Sequence, residues 1–296
     1  MIEAEEMKVP MKITEILAQE KPVLSFEVFP PKKEDAYETV ERAAAGIARL
    51  SPSFMSVTYG AGGGTSRYTV ELAHNLWKHY HVTALAHLSC VSSTREQIHA
   101  MAQKLKENEL FNVLALRGDI PADEHVETDY QYASELISDL KEMGDFCIGA
   151  ACYPEGHPES ATRKEDILHL KEKVDAGCSF LTTQMFFDNN IFYNFLYRIR
   201  EIGITVPVIA GIMPVTNAKQ IKRILSMSGT YLPTRFKTIL DRFGSSPAAM
   251  KQAGIAYTTE QVIDLVANDV HAIHIYSMNK PDVAEQIKRS VSEIMV

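Results

Sequence analysis

No apolar run in the chain is long enough to cross a bilayer and no secretory leader precedes it, so a cytoplasmic, reduced protein with no membrane partner is expected. Cysteine is scarce: Cys90, Cys147, Cys152 and Cys178 are scattered, form no C-x-x-C pair, and sit in or beside apolar runs. Buried free thiols are expected, rather than a disulfide framework or an iron–sulfur site. Basic residues are outnumbered, 30 Lys and Arg against 38 Asp and Glu, and the net charge of -8 excludes a nucleic-acid surface. A local phosphate site remains open. No G-x-x-x-x-G-K-[ST] loop, G-x-S-x-G elbow or H-E-x-x-H pair occurs, which removes support for a nucleotide triphosphatase, triad hydrolysis and a zinc peptidase. His79 and His81, and His271 and His274, are spaced too weakly to argue for a metal, and none is expected.

What is present is repetition of element type. Short apolar runs rich in β-branched residues lie at 23–28, 54–58, 83–88, 112–117, 147–152, 180–184, 206–212 and 272–277. They are apolar almost throughout, as strands covered on both faces are. Helical periodicity fills the gaps: Ile98, Met101, Ala102 and Leu105 share one face, as do Ile167, Leu170 and Val174. Capping boxes are read at Ser93–Glu96, Thr162–Glu165 and Thr258–Gln261. Eight strands alternating with helices fit an α/β fold, a (β/α)8 TIM barrel. Extra helices over 217–227, 233–243 and 246–268 precede the last strand. One domain over 11–296 is expected, behind a flexible N-terminal extension at 1–10.

Functional groups of such a barrel collect at the C-terminal strand ends. Those ends carry Glu27; Thr58 and Tyr59; His87; Arg117, Gly118 and Asp119; Tyr153 and His157; Gln184; and Tyr276. Glu27 stands out, because an ionised carboxylate inside an apolar strand costs several kcal/mol unless it is paired. It either serves a site or turns to solvent beside Lys32 or Lys33. Arg117 either pairs locally with Asp119 or meets a phosphate or ring carbonyl. His87 is either a hydrogen-bonded core histidine or a ligand group. Gly60, Gly62, Gly63 and Gly64 form a loop that lets backbone approach a ligand, or a plain loop tip. Asp166, His169 and Lys173 fall at i, i+3 and i+7 on one helix face, either solvated or holding a ribose and a phosphate.

Ordered motifs then carry a resemblance. Ser25-Phe26-Glu27-Val28-Phe29-Pro30-Pro31-Lys32, Ser56-Val57-Thr58-Tyr59-Gly60-Ala61-Gly62-Gly63, Ala115-Leu116-Arg117-Gly118-Asp119, Tyr153-Pro154-Glu155-Gly156-His157-Pro158-Glu159, Lys173-Val174-Asp175-Ala176-Gly177 and Gln184-Met185-Phe186-Phe187-Asp188 follow in that order. Together they resemble methylenetetrahydrofolate reductases, in the short form made of the catalytic barrel. The resemblance runs from about 11 to 290. It implies FAD at the barrel mouth, NADH or NADPH as donor, and ping-pong reduction of 5,10-methylenetetrahydrofolate to 5-methyltetrahydrofolate. A homo-oligomer is also implied.

Carried over residue by residue, the resemblance makes Glu27 the general acid that opens the imidazolidine ring, with Asp119 near both flavin and folate. It gives Thr58, Tyr59, His87, Arg117, Gly118, Asp119, Tyr132, Ala133, Tyr153 and His157 to the flavin, and Asp166, His169 and Lys173 to its ribose and phosphates. Asp119, Gln184, Gln220, Tyr276 and Lys280 fall to the folate or nicotinamide. The chain departs from the pattern at three places. Glu172 replaces a basic residue of some relatives, His169 an amide, and Lys280 an arginine whose fork it lacks. A flavin-less pterin-binding barrel, or a flavin reductase fed by ferredoxin or a partner subunit, are the alternatives.

Overall fold

Eight short runs of Val, Leu, Ile, Ala and Phe cannot each shield both faces alone, and parallel pairing around a ring shields them all. In a computed structural model, which describes residues 10–31, 33–59, 66–120 and 128–295, the strands close into a barrel in sequence order, every neighbour parallel. They are β1 (Val23–Val28), β2 (Met55–Val57), β3 (Ala84–Ser89), β4 (Asn112–Leu116), β5 (Cys147–Cys152), β6 (Phe180–Thr183), β7 (Val208–Ile212) and β8 (Ala272–Ile275). Each expected strand is present, most of them shortened at an end. The expected loop at 60–65 and all but the last residue of the 1–10 extension lie outside the described residues.

Helices α1 (Ile13–Leu17), α2 (Tyr37–Ala48), α3 (Ser66–Tyr80), α4 (Arg95–Glu107), α5 (Ala133–Glu142), α6 (Arg163–Asp175), α7 (Asn189–Glu201) and α11 (Pro281–Ser290) surround the barrel, with α8 (Ala218–Ser228), α9 (Thr234–Phe243) and α10 (Pro247–Ala267) as the expected extra set. Alternate strand residues such as Phe26, Met55, Ala86 and Ile273 pack outward against buried helix residues such as Ile47, Leu76, Ile98 and Leu265. The opposite set, including Val23, Leu85, Leu114, Phe180 and Ile209, points inward and packs with Ile13 and Ile16 of α1. The sequence reading does not anticipate α1. It is a five-residue plug at the barrel's N-terminal end, tied by Asn112, whose Oδ1 accepts from the Ile13 amide at 2.8 Å.

Two capping boxes differ from expectation, although the helix expected over 246–268 is present as α10. Thr94, not Ser93, caps α4, and its reciprocal partner is Gln97. Thr258 is buried inside the 21-residue α10, whose cap is Ser246 followed by Pro247 at the first helical position. The proline fixes the start a full three turns earlier than a hydroxyl–amide pattern suggests. Thr162 does cap α6 and accepts from the Glu165 amide at 3.1 Å. All four cysteines are buried free thiols. Among the described residues no helix is long and apolar enough to cross a membrane.

Candidate active site

Period-2 alternation in β1 places Val23, Ser25 and Glu27 on the inner face, with Glu27 last and nearest the mouth. Glu27 is 7% exposed, which sets aside the solvent-facing reading; its ion-pair neighbours are His87 and His274 rather than Lys33, and Lys32 lies outside the described residues. Its carboxyl accepts from the Ser56 hydroxyl at 3.3 Å, and that hydroxyl lies 2.9 Å from His274 Nε2. His274 Nδ1 in turn meets the Ser25 hydroxyl at 2.7 Å, which donates to the Ile273 carbonyl at 3.1 Å. The Ser277 hydroxyl donates to the Glu27 carbonyl at 2.6 Å. Ser25, Ser56, His274 and Ser277 are thus site residues that the sequence reading did not single out. Their signal is the two-residue spacing Ser25–Glu27, Ser56–Thr58 and His274–Tyr276, which puts each pair on one strand face.

His87 stands on β3 with Nε2 at 3.6 Å from Glu27 Oε2, beyond hydrogen-bond range. That nitrogen is buried and has no partner, so the reading of His87 as a hydrogen-bonded core histidine does not hold at Nε2. Burial pushes the imidazole down to about 4, although the Glu27 carboxylate pulls the other way, so His87 is neutral at pH 7. Tyr276 hangs over the floor of the mouth, its hydroxyl donating to the Thr183 carbonyl at 2.5 Å. Gly211 makes room for it, since a Cβ there would collide with the Tyr276 ring and the Thr183 carbonyl. Gln184 is held nearby, its side-chain oxygen accepting from the Met185 amide at 3.0 Å.

A second group gathers on the β4, β5 and α6 side. Arg117 does not pair with Asp119; its fork meets both oxygens of Glu159 at 2.6 and 2.7 Å. Gly118, with a positive φ between them, turns the backbone after the strand end, whereas Glu159 rises from the loop after β5 to face the guanidinium. Gly118 has φ +90°, and a Cβ there would collide with the Ser89 side chain. Asp119 is exposed and close enough to Tyr153 to add to the burial that pushes the phenol up to about 12. The Tyr153 and His157 rings meet edge to face at 4.6 Å. Burial lowers the Lys173 ammonium while Asp166 partly restores it; the same burial raises the Asp166 carboxyl. Lys173 Nζ donates to the Ala151 carbonyl at 3.0 Å, so it is buried against the barrel rather than solvated.

The remaining residues sit further out. Thr58 and Tyr59 are half-buried at the end of β2, and the Thr58 carbonyl accepts from the Thr69 hydroxyl. Ala133 is buried at the start of α5, beside the exposed Tyr132. Lys280 donates to the Thr216 hydroxyl at 2.8 Å, tying the loop after β8 to the loop after β7. Gln220 lies in the first turn of α8. No cluster of His, Cys, Asp and Glu able to hold a metal occurs among the described residues.

A closed parallel barrel with a buried carboxyl and polar side chains ringed at its C-terminal mouth defines a (β/α)8-barrel enzyme. The family model for methylenetetrahydrofolate reductase matches residues 12–292, and the chain belongs to that family. It is 36% identical over 264 residues to the 5,10-methylenetetrahydrofolate reductase of Pectobacterium carotovorum, covering 89% of this chain and 88% of that one. The Escherichia coli K12 enzyme of the same name is 33% identical with the same coverage. Methylenetetrahydrofolate reductase (NADH) 1 of Zea mays is 35% identical over 288 residues, 92% of this chain but 49% of the maize protein. A Clostridium thermocellum structure shares the fold at TM-score 0.62 and 14% identity, over 96% of this chain and 99% of that one.

Proposed function

We propose that this protein reduces 5,10-methylenetetrahydrofolate to 5-methyltetrahydrofolate with electrons from NADH or NADPH, using FAD and Glu27 as general acid. The observation that carries the reading is the pairing of a buried carboxyl, Glu27, with a buried His87 nitrogen that lacks a partner. The Zea mays relative is named for NADH, which supports that donor. The Clostridium thermocellum neighbour is described as binding two copies of 5-methyl-5,6,7,8-tetrahydrofolic acid, which supports a folate at the mouth.

The residues present fit FAD. Lys173 is a desolvated cation whose burial the Asp166 carboxylate does not fully offset, and a diphosphate would supply the missing negative charge. Arg117 is a second cation once Glu159 releases its fork. Asp166 offers acceptors to ribose hydroxyls, while Tyr153 and His157 offer apolar faces. When bound, FAD carries two electrons from the nicotinamide to the folate carbon. The nicotinamide leaves before the folate enters the same face, in ping-pong order.

The protein's own part is proton delivery and charge placement. The bond from the methylene carbon to N10 breaks with its electron pair going to nitrogen, and Glu27 delivers its proton there. The N5 lone pair closes on the carbon, leaving a 5-iminium cation that a hydride converts to the methyl group. Asp119 at the rim places negative charge where the cation forms. Gln184, Gln220 and Tyr276 orient the pterin, and Lys280 meets the glutamate tail as a point charge. We place the reaction in the cytoplasm, and read the barrel as the catalytic unit of a homo-oligomer.

Glu27→Gln tests the assignment. Reduction of the flavin by NADH is expected to continue, while reduction of the folate falls by roughly 100- to 10,000-fold, the range of a lost general acid. Equal loss in both half-reactions would make Glu27 structural.

A further inference from the structure

The turn between Tyr153 and His157 presents a residue that has no part in the proposed reaction, Glu155. The Gly156 amide donates to the Tyr153 carbonyl at 3.0 Å, and Gly156 has φ +92°, which glycine adopts without strain. Pro154 takes the second position of this turn, where its fixed φ fits. Arg163, the first residue of α6, donates from Nε to the Glu155 carbonyl at 3.1 Å. The backbone is thereby fixed against α6, and the side chain reaches another element. Glu155 Oε2 accepts from the Tyr231 amide at 2.7 Å, in the segment between α8 and α9. Oε1 is buried and has no partner among the described residues. Burial pushes the carboxyl up, while the Tyr231 amide and the Arg163 guanidinium pull it down.

One side of the mouth has a core of its own. Met185, Phe187, Val215, Ile221, Leu232 and Phe236 form a buried cluster apart from the main core, joining the loops after β6 and β7 to α8 and α9. Gln184 and Gln220, which orient the pterin in the proposed reaction, are the chain neighbours of Met185 and Ile221 in that cluster. Tyr153 and His157, which face the flavin there, lie two residues either side of Glu155. We propose that Glu155 is a positioning residue that ties the folate-side helices to the flavin-side turn through the Tyr231 amide. This rests on the reaction proposed above. The segment after α8 turns at Gly229, with φ +64°, and Thr230 directs its own amide and hydroxyl to Ser228. The Tyr231 amide instead leaves the segment and crosses to the barrel, joining residues 76 apart in sequence. A carboxylate accepts an amide proton more strongly than a neutral oxygen does, which suits a tie made by one bond. An orphaned buried oxygen is costly, so a side chain that merely filled this space would be cheaper as an apolar one.

The test compares the full-length protein with Glu155→Ala and Glu155→Gln. It measures hydrogen exchange at Tyr231 by mass spectrometry, FAD affinity, and steady-state kinetics with methylenetetrahydrofolate. The Tyr231 amide should be protected in wild type and exchange roughly tenfold faster in Glu155→Ala, as loss of a bond to a charged acceptor gives. In the same variant the KM for the folate should rise to a similar extent, with kcat near its wild-type value. FAD affinity should stay unchanged, which also shows that the variant is folded. Glu155→Gln keeps an acceptor oxygen and should recover most of both losses. A Tyr231 amide that exchanges freely in wild type overturns the tie, as does a Gln variant that behaves like the Ala one. Faster exchange with an unchanged KM overturns the positioning role, and a parallel loss of FAD affinity would place Glu155 in the flavin site instead. A wild-type protein that does not reduce the folate overturns the reaction and the positioning role with it, while exchange at Tyr231 still decides whether the tie exists.

Discussion

The proposed role of general acid requires a carboxyl that is held in place both with and without its proton. Around Glu27 this falls to Ser56, whose hydroxyl lies between the carboxyl and His274. A hydroxyl both donates and accepts, so it turns toward either form of the carboxyl. The chain continues to Ser25 and stops at the Ile273 carbonyl, and Ser25, Ser56 and His274 are all buried. It therefore holds the carboxyl and ends inside the barrel. Ser56→Ala should slow folate reduction roughly tenfold while leaving flavin reduction by NADH unchanged, read by stopped-flow absorbance of each half-reaction. Unchanged folate reduction would remove Ser56 from the positioning of Glu27.

His87 gives a second residue-scale test. Its folded-state value, lowered by burial to about 4, lies below the ordinary 6.5 of an unfolded histidine. Below pH 6.5 the unfolded chain takes a proton that the folded one refuses, so stability falls as pH drops from 6.5 toward 4. The full effect is up to about 3 kcal/mol, from 1.36 kcal/mol per unit. His87→Gln should flatten that part of a urea-unfolding series across pH. An undiminished slope in the variant would assign the loss to other groups. Glu27 and His87 were legible as strand-end residues because a charge or imidazole after an apolar run is conspicuous. Ser25, Ser56 and His274 were not, since small polar residues inside strands look the same whether they bond the backbone or a catalytic group.

At the scale of elements, α10 of the extra set packs against the loop after β7. Glycine inside a helix costs roughly 1 kcal/mol relative to alanine, yet Gly254 sits inside α10. A Cβ at 254 would collide with the Val215 carbonyl, in the loop after β7. The next residue, Thr216, accepts from Lys280. Gly254→Ala should therefore lower stability by roughly 1–3 kcal/mol despite its better helix propensity, as overpacking does. It should also raise the KM for the folate, with denaturant melts and steady-state kinetics as the checks. A more stable variant with unchanged KM would show that α10 and the loop part freely. The three helices were legible from period and length, but this contact was not, because it joins residues that no local pattern relates. Thr258 misled for the opposite reason: its hydroxyl–amide spacing fits a cap, but Pro247 had already fixed the helix start.

At the scale of the whole molecule, barrel closure is what makes a site. The Ser277 hydroxyl reaches the Glu27 carbonyl across 250 residues of sequence, through the direct pairing of β1 with β8. The strands were legible because a parallel barrel is covered on both faces and its strands read as apolar runs. Which loops face one another was not. Arg117 meets Glu159 across the β4–β5 loops, and Tyr132 meets His169 across α5 and α6. Both pairs follow from the barrel's circumference, not from spacing along the chain.

The measurement that bears most directly on the proposed reaction is an anaerobic visible spectrum of the purified protein, taken before and after NADH and again after methylenetetrahydrofolate. A yellow flavin band that bleaches with the nicotinamide and returns with the folate is the expected result, and it reads cofactor, order and acceptor in one cuvette. A protein that stays colourless with added FAD, or a bleached band that the folate does not restore, would contradict the account.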